Sequence, residues 1–163
     1  DTFDAYTVGL SASYKVGEVE LSPYARYSAL DLDAATTDNK LWKVGMGAQM
    51  GIFGAAIGYG ETDKEGGVVA LDASAATGYD EHWRVTLTGI ADADVLYASA
   101  NVQATDSLNV ALKYSAMDIK NDNDQDEVYA QFTYKMSSNF TTYLRLGQYD
   151  VEGSEKEDRR AHV

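Results

Sequence analysis

The sequence predicts an all-β fold, namely an antiparallel up-and-down transmembrane β-barrel of which about nine strands lie in this chain. Three observations predict this fold class. Apolar and polar residues alternate over segments of about ten residues, as in strands with one apolar and one polar face. Short turns alternate with long polar loops along the chain. The basic residues inside the predicted strands lie on the polar face.

The alternation repeats along most of the chain. In the first segment, apolar residues occupy the even positions from Tyr6 to Val16, and polar or small residues occupy the odd ones. No segment of useful length has the spacing of an amphipathic helix, and none approaches the ~20 consecutive apolar residues of a membrane-spanning helix. The predicted apolar faces follow every second residue, with few exceptions, through Tyr6–Val16, Val19–Ala29, Trp42–Ile52, Phe53–Tyr59, Leu96–Ala104, Leu108–Ala116, Val128–Met136 and Phe140–Leu146, and a ninth strand contains Arg160–His162.

The connections between these segments are of two kinds. Short turns are predicted at 17–18, 51–52, 105–107 and 137–139, and long polar loops at 31–40, 61–93, 118–126 and 148–158. A barrel of the outer-membrane type has tight turns at one end and long loops at the other. A soluble sandwich gives no reason for such segregation, so the connections favour the membrane barrel.

The longest loop, 61–93, contains a strand-like piece at 82–90. A barrel strand there would place two short connections in succession, so the piece is assigned to the loop. Loops of this length are uncommon unless they are functional. The loop is expected either to fold inward and narrow a pore, or to lie across the rim or bind a neighbouring subunit. The candidate constriction residues are Asp72, Asp80, Glu81, His82 and Arg84.

The strand residues carry most of their charge on one face. Seven of the 13 basic residues lie on the polar face of their strands. Because a charge facing lipid at mid-depth costs about 2 to 4 kcal/mol, a barrel confines such residues to its lumen. Tyr and Trp lie near strand ends on the other face, as in interfacial belts. The predicted pore-lining residues are Arg26, Lys43, Lys113, Lys135, Arg145, Arg160 and Glu20; Lys15 shares their face.

The acidic residues are distributed differently. The net charge is −13, and 21 of the 26 Asp and Glu residues lie in or next to the long loops. This balance argues against a nucleic-acid partner, because phosphate backbones are bound by concentrated Lys and Arg. An acidic mouth would raise the local concentration of cations. The alternative is that these loops only keep an external surface solvated.

Two further groups of residues are candidates for chemistry. An oxygen-rich loop could bind a structural Ca²⁺, although it lacks the glycine and terminal glutamate of an EF-hand, and a solvated loop is the alternative. His82 with Asp80 or Glu81 could act in a barrel enzyme, but no partnered nucleophile is present, and the chain has no Cys. We therefore predict a protein without enzymatic activity or a required cofactor. The calcium candidates are Asp118, Asp122, Asp124, Asp126 and Glu127.

Three stretches of the second half resemble a known family. They are residues 78–90 (GYDEHWRVTLTGI), 109–115 (NVALKYS) and 134–140 (YKMSSNF). These stretches resemble the major outer membrane porins of campylobacters and related epsilonproteobacteria, and the first half is similar by pattern only. The resemblance implies a homotrimer of large barrels in the outer membrane, in contact with the lipid bilayer and lipopolysaccharide. It also implies passage of small hydrophilic solutes and ions, with a preference for cations.

The chain differs from that family in length and in its ending. Nine strands are about half of such a barrel, and the chain stops at His162 and Val163 instead of a terminal aromatic residue. We therefore expect residues 1–163 to be a single barrel region, the C-terminal half of a porin without its last residues. The alternative function is that of a structural or adhesive surface protein whose acidic loops bind partners or divalent cations.

Overall fold

The computed structural model describes residues 3–32, 39–64, 83–87, 89–154 and 158–163. These residues form one antiparallel sheet in which each strand pairs with its neighbours in the chain, in the order β1-β3-β4-β5-β6-β7-β8-β9-β10, with β2 also paired to β3. The strands are β1 Phe3–Ser11, β2 Tyr14–Val16, β3 Val19–Leu32, β4 Asn39–Met50, β5 Phe53–Thr62, β6 Ala93–Gln103, β7 Leu108–Ile119, β8 Gln125–Lys135, β9 Thr141–Val151 and β10 Asp158–His162. The predicted all-β, up-and-down architecture is confirmed.

The first predicted strand is divided into β1 and β2. Ser11 pairs with Tyr24 and Tyr14 with Leu21, so both pieces keep one register against β3. The ladder is interrupted where Ala12 donates its N–H to the carbonyl of Pro23 at 3.1 Å, because proline has no N–H to return. The ten strands in the described residues therefore occupy nine positions in the sheet, the number that the alternation predicts.

The turns and loops alternate as predicted. Gly17 and Gly51 have φ of 63° and 56°, a left-handed conformation that glycine adopts without steric cost, and each lies in a two-residue turn. The connections from β3 to β4 and from β5 to β6 are long and leave the opposite end of the sheet. β5 pairs directly with β6, and residues 83–87 form no strand. For residues 83–87 the assignment to a loop is confirmed.

The outer face of the sheet, which holds Trp42, Leu112 and Phe132, is apolar and exposed. On β4 its side chains run from Trp42 to Met50 in five successive outward positions. Nine residues extend about 30 Å, or roughly 23 Å along the bilayer normal at a ~40° tilt, close to the ~25 Å apolar band of membrane barrels. Among the described residues there is no helix that is long and apolar enough to cross a membrane.

Acidic residues mark the end of this apolar band nearest the long loops. The outward carboxylates are Glu61, Asp94 and Asp118 in one register row, and Asp126 and Asp150 in the next row toward the turns. The boundary thus moves by two residues between β5 and β9. A stepwise shift of this kind is expected when strands are tilted against the plane of the membrane.

The buried core lies on the inner face, defined as the face opposite to Trp42 and Leu112, near the long loops. It contains inner residues of the three strands β4, β6 and β7 together with two residues from the β5–β6 loop. Among the described residues, the buried members of this core are Leu41, Val85, Leu87, Ala93, Val95, Tyr97, Met117 and Ile119. The best-packed part of the molecule is therefore the contact between the sheet and this loop.

Candidate functional site

All seven predicted pore-lining residues lie on the inner face. Strand register places Arg26 opposite Lys43, and Arg145 opposite Gln131. Lys113 lies opposite Tyr129, and Arg160 lies opposite Gly147. Glu20 lies opposite Lys15, and Lys135 opposite Thr141 near the short turns.

The inner face lines an open cavity of about 510 Å³ on the side of the short turns. Its lining comes from six neighbouring strands, β3 to β8, so the sheet curves around this face. Small and amide side chains predominate, and Glu20 and Lys113 supply opposite charges. The lining includes Glu20, Ser22, Gln49, Ser99, Asn101, Asn109, Lys113 and Gln131.

Aromatic rings and an amide hold the basic side chains beside this cavity. The Arg145 guanidinium lies 5.6 Å from the ring centre of Tyr129 and 4.9 Å from that of Tyr143. Its Nε donates to Oε1 of Gln131 at 2.7 Å. The Lys113 ammonium lies 5.9 Å from the Tyr129 ring. Such cation–π contacts hold a cation in place without neutralising its charge.

Residues 83–87, named here the inward segment, pack against the inner face. Val85 and Leu87 are 0% exposed and belong to the same core as Leu41 and Val95. Gly60 leaves room for the segment, because a Cβ at that position would lie 3.1 Å from Cδ1 of Leu87. The inward segment therefore has a fixed apolar seat on the wall.

A buried carboxylate holds the backbone of the inward segment. The N–H groups of Trp83, Arg84 and Val85 donate to Oε2 of Glu127 at 3.0, 2.9 and 3.3 Å. Glu127 lies on the inner face of β8 and is 2% exposed. Its Oε1 is also buried and has no hydrogen-bond partner among the described residues. One side chain thus satisfies three consecutive donors of the loop.

The side chains at the start of the inward segment contact the last strands. Arg84 lies 3.5 Å from Oδ2 of Asp158 and 4.7 Å from the Tyr149 ring centre. Arg160 also binds Asp158, through Nη2 at 2.6 Å. The rings of Trp83 and His162 are near parallel at 6.2 Å. The segment therefore crosses the inner face from β10 toward β4 and β5.

Four of the predicted constriction residues lie outside the described residues: Asp72, Asp80, Glu81 and His82. The fifth, Arg84, lies in the inward segment. In the part of the chain that the structure describes, no three carboxylate or imidazole groups converge in a way that could hold a metal ion. Asp124 accepts the N–H of Ile119 at 3.0 Å, and Asp126 the hydroxyl of Tyr114 at 2.8 Å. The calcium site stays a prediction.

The spacing of residues in the sequence does not predict the seat of the inward segment or the contact of Glu127 with it. A signal for the seat exists: Val95, Met117 and Ile119 are apolar residues at positions of the polar face. In the sequence, Glu127 is one of five acidic residues of a predicted loop. Nothing in its spacing distinguishes a residue that binds a segment more than 40 positions away.

The fold and the inner face define a class of protein. A curved antiparallel sheet with an exposed apolar outer face, a polar inner face, and tight turns and long loops at opposite ends is the architecture of outer-membrane β-barrels. A family model described as Gram-negative porin matches residues 1–154. The chain belongs to the Gram-negative porins, and its location is the bacterial outer membrane. The match covers the first half as well, where the sequence resemblance rested on pattern alone.

No significant match exists among curated proteins or among solved structures. Membership of the porin family points to a channel protein without enzymatic activity.

Proposed function

We propose that this protein is a porin that forms a water-filled diffusion channel for small hydrophilic solutes and ions. One observation carries the proposal: the inner face is polar, carries fixed charges and curves around a cavity of about 510 Å³. A polar lumen inside an apolar outer surface is what a diffusion pore requires. The predicted basic residues and Glu20 would then line the pore.

We propose further that the inward segment forms part of the constriction of this channel. Val85 and Leu87 fix the segment to the wall. Arg84 belongs to the same segment, and its side chain reaches Asp158. A segment that lies on the inner face reduces the cross-section available to solutes. This supports the alternative in which the β5–β6 loop folds inward, and not the one in which it lies across the rim.

The proposed preference for cations depends on the acidic end of the channel. The outward Glu61, Asp94 and Asp118 and the connection residues Asp92 and Asp124 line an open cleft of about 480 Å³ on the rim, at the side of the long loops. Carboxylates at a mouth raise the local concentration of cations. The basic inner wall acts in the opposite direction, so the net preference is the difference between the two.

We propose the lipid bilayer, lipopolysaccharide and two further copies of the chain as partners, as in the epsilonproteobacterial porins that the second half resembles. The outward row of Glu61, Asp94 and Asp118 supports the lipopolysaccharide contact. Because carboxylates and lipid phosphates are both anionic, divalent cations would have to bridge them. Gel filtration in mild detergent would test the trimer by its mass.

The alternative function, an adhesive surface protein, rests on the same acidic cleft. Lys120 lies 3.5 Å from Asp92 there, so the cleft already holds one cationic group. An adhesive role requires binding that depends on the loops and is lost with a chelator. A channel requires a polar inner face and an adhesive role does not, so the polar inner face favours the channel.

The channel is tested by solute uptake into liposomes that contain the intact protein. We expect neutral sugars to enter at rates that fall with molecular size, and protein-free liposomes to exclude them. Equal exclusion by both kinds of liposome would contradict a diffusion channel and favour the adhesive alternative.

A further inference from the structure

The buried carboxylate of Glu127 does not line the cavity. Inner-wall charges that act on solutes, such as Glu20, lie beside the open cavity. Glu127 is 2% exposed and is covered by the inward segment. It therefore acts on solutes only through the segment that it holds.

The hydrogen bonds between Glu127 and the inward segment are strong. Hydrogen bonds from N–H groups to an ionised carboxylate are about twice as strong as those between neutral groups. Three of them converge on Oε2, from consecutive residues, at 2.9 to 3.3 Å. Consecutive donors that meet one acceptor fix the backbone in position and direction, which apolar packing alone does not.

We propose that Glu127 is a positioning residue that fixes the inward segment on the wall and thereby sets the width of the channel. This inference rests on the proposed function. Glu127 supplies the polar contact and Val85 with Leu87 the apolar one. In Glu127→Gln the three N–H groups meet only a weaker, neutral acceptor, and in Glu127→Ala they lose it; one of these contacts is buried and two are part-buried, and leaving such groups unpaired is costly. The segment then moves toward the lumen or the mouth, where water can satisfy them.

The substitutions Glu127→Gln and Glu127→Ala test this in the intact channel, with Glu20→Gln as the matched control. Both glutamates lie on the inner face, but Glu20 accepts a hydrogen bond from Ser13 and lies by the cavity. We expect both Glu127 variants to change single-channel conductance and to broaden its distribution. Glu20→Gln should shift ion preference and leave the distribution narrow.

A cross-link provides the rescue. The chain has no Cys, and a Cβ at Gly60 would lie 3.1 Å from Cδ1 of Leu87, so the two side-chain positions are in contact and Gly60→Cys with Leu87→Cys is the pair to cross-link. In the Glu127→Gln background, the oxidised pair should restore the narrow conductance, and reduction should abolish the rescue. If Glu127→Ala does not assemble, the conductance of the isosteric Glu127→Gln variant tests the proposal.

Two results would overturn the inference. The first is a Glu127→Gln conductance with the same mean and width as the parent. The second is disulfide formation between the two introduced cysteines that is as fast in the Glu127→Gln background as with Glu127 in place. Failure of the channel proposal is distinguishable, because the parent then does not conduct at all, while the rate of disulfide formation still reports whether Glu127 holds the segment.

Discussion

Leu112 and Lys113 are adjacent in the chain and meet opposite surroundings. Leu112 lies on the apolar outer face and is 58% exposed. Lys113 lines the cavity and approaches the Tyr129 ring. The period of two in the sequence predicts this division at every described strand, because a shift of one residue would turn all basic side chains toward lipid. The contacts of each charge are not predictable in this way, since they depend on neighbouring strands.

Neutralising Lys113 should strengthen the preference for cations. At about 5 Å through water, one unit charge contributes about 0.8 kcal/mol, with opposite sign for a cation and an anion, so Lys113→Gln should raise the cation-to-anion permeability ratio by up to about 16-fold. Reversal potentials in a salt gradient measure this ratio. Lys113→Arg keeps the charge and is the control. An unchanged ratio in Lys113→Gln would show that Lys113 does not face the conducting path.

At the scale of elements, strands and loops differ in how far the sequence determines them. The strands are predictable from the alternation of apolar and polar residues, and the connections from their polar composition. The seat of the inward segment does not follow, because it joins β4, β6 and β7 to a loop distant in the chain. Val95, Met117 and Ile119 interrupt the polar face and could have indicated that something covers them. The partner itself is defined only by the folded sheet.

The packing of the inward segment on β5 is tested by a matched pair of glycine substitutions. In Gly60→Val the new side chain would meet Leu87 at 3.1 Å and the Cβ of Lys43 at 3.3 Å. Overpacking of this kind costs about 1 to 3 kcal/mol. Gly47→Val is the control, since its nearest neighbours are 3.7 Å away. We expect faster proteolysis within 83–87 in Gly60→Val alone, and equal rates in the two variants would refute the packing.

At the scale of the whole molecule, the two faces and the two ends of the sheet have different chemistry. The outer face is apolar over a membrane-sized band, the inner face is polar and largely basic, and the end with the long loops is acidic. The described sheet has β1 and β10 at its edges, and exposed edges cannot remain unpaired in lipid. Completion of the barrel by further strands remains a prediction, as does the trimer.

A water-filled pore along the inner face and lipid against the outer face require the two faces to differ in their access to water-soluble reagents. Because the chain has no Cys, single substitutions Ser99→Cys on the inner face and Leu112→Cys on the outer face can be compared directly. The measurement is the conductance of each variant in a planar bilayer before and after a charged, membrane-impermeant thiol reagent is added. We expect the reagent to reduce the conductance of Ser99→Cys and to leave that of Leu112→Cys unchanged. Modification of Leu112→Cys with no effect on Ser99→Cys, or the absence of any conductance, would contradict this arrangement of the two faces.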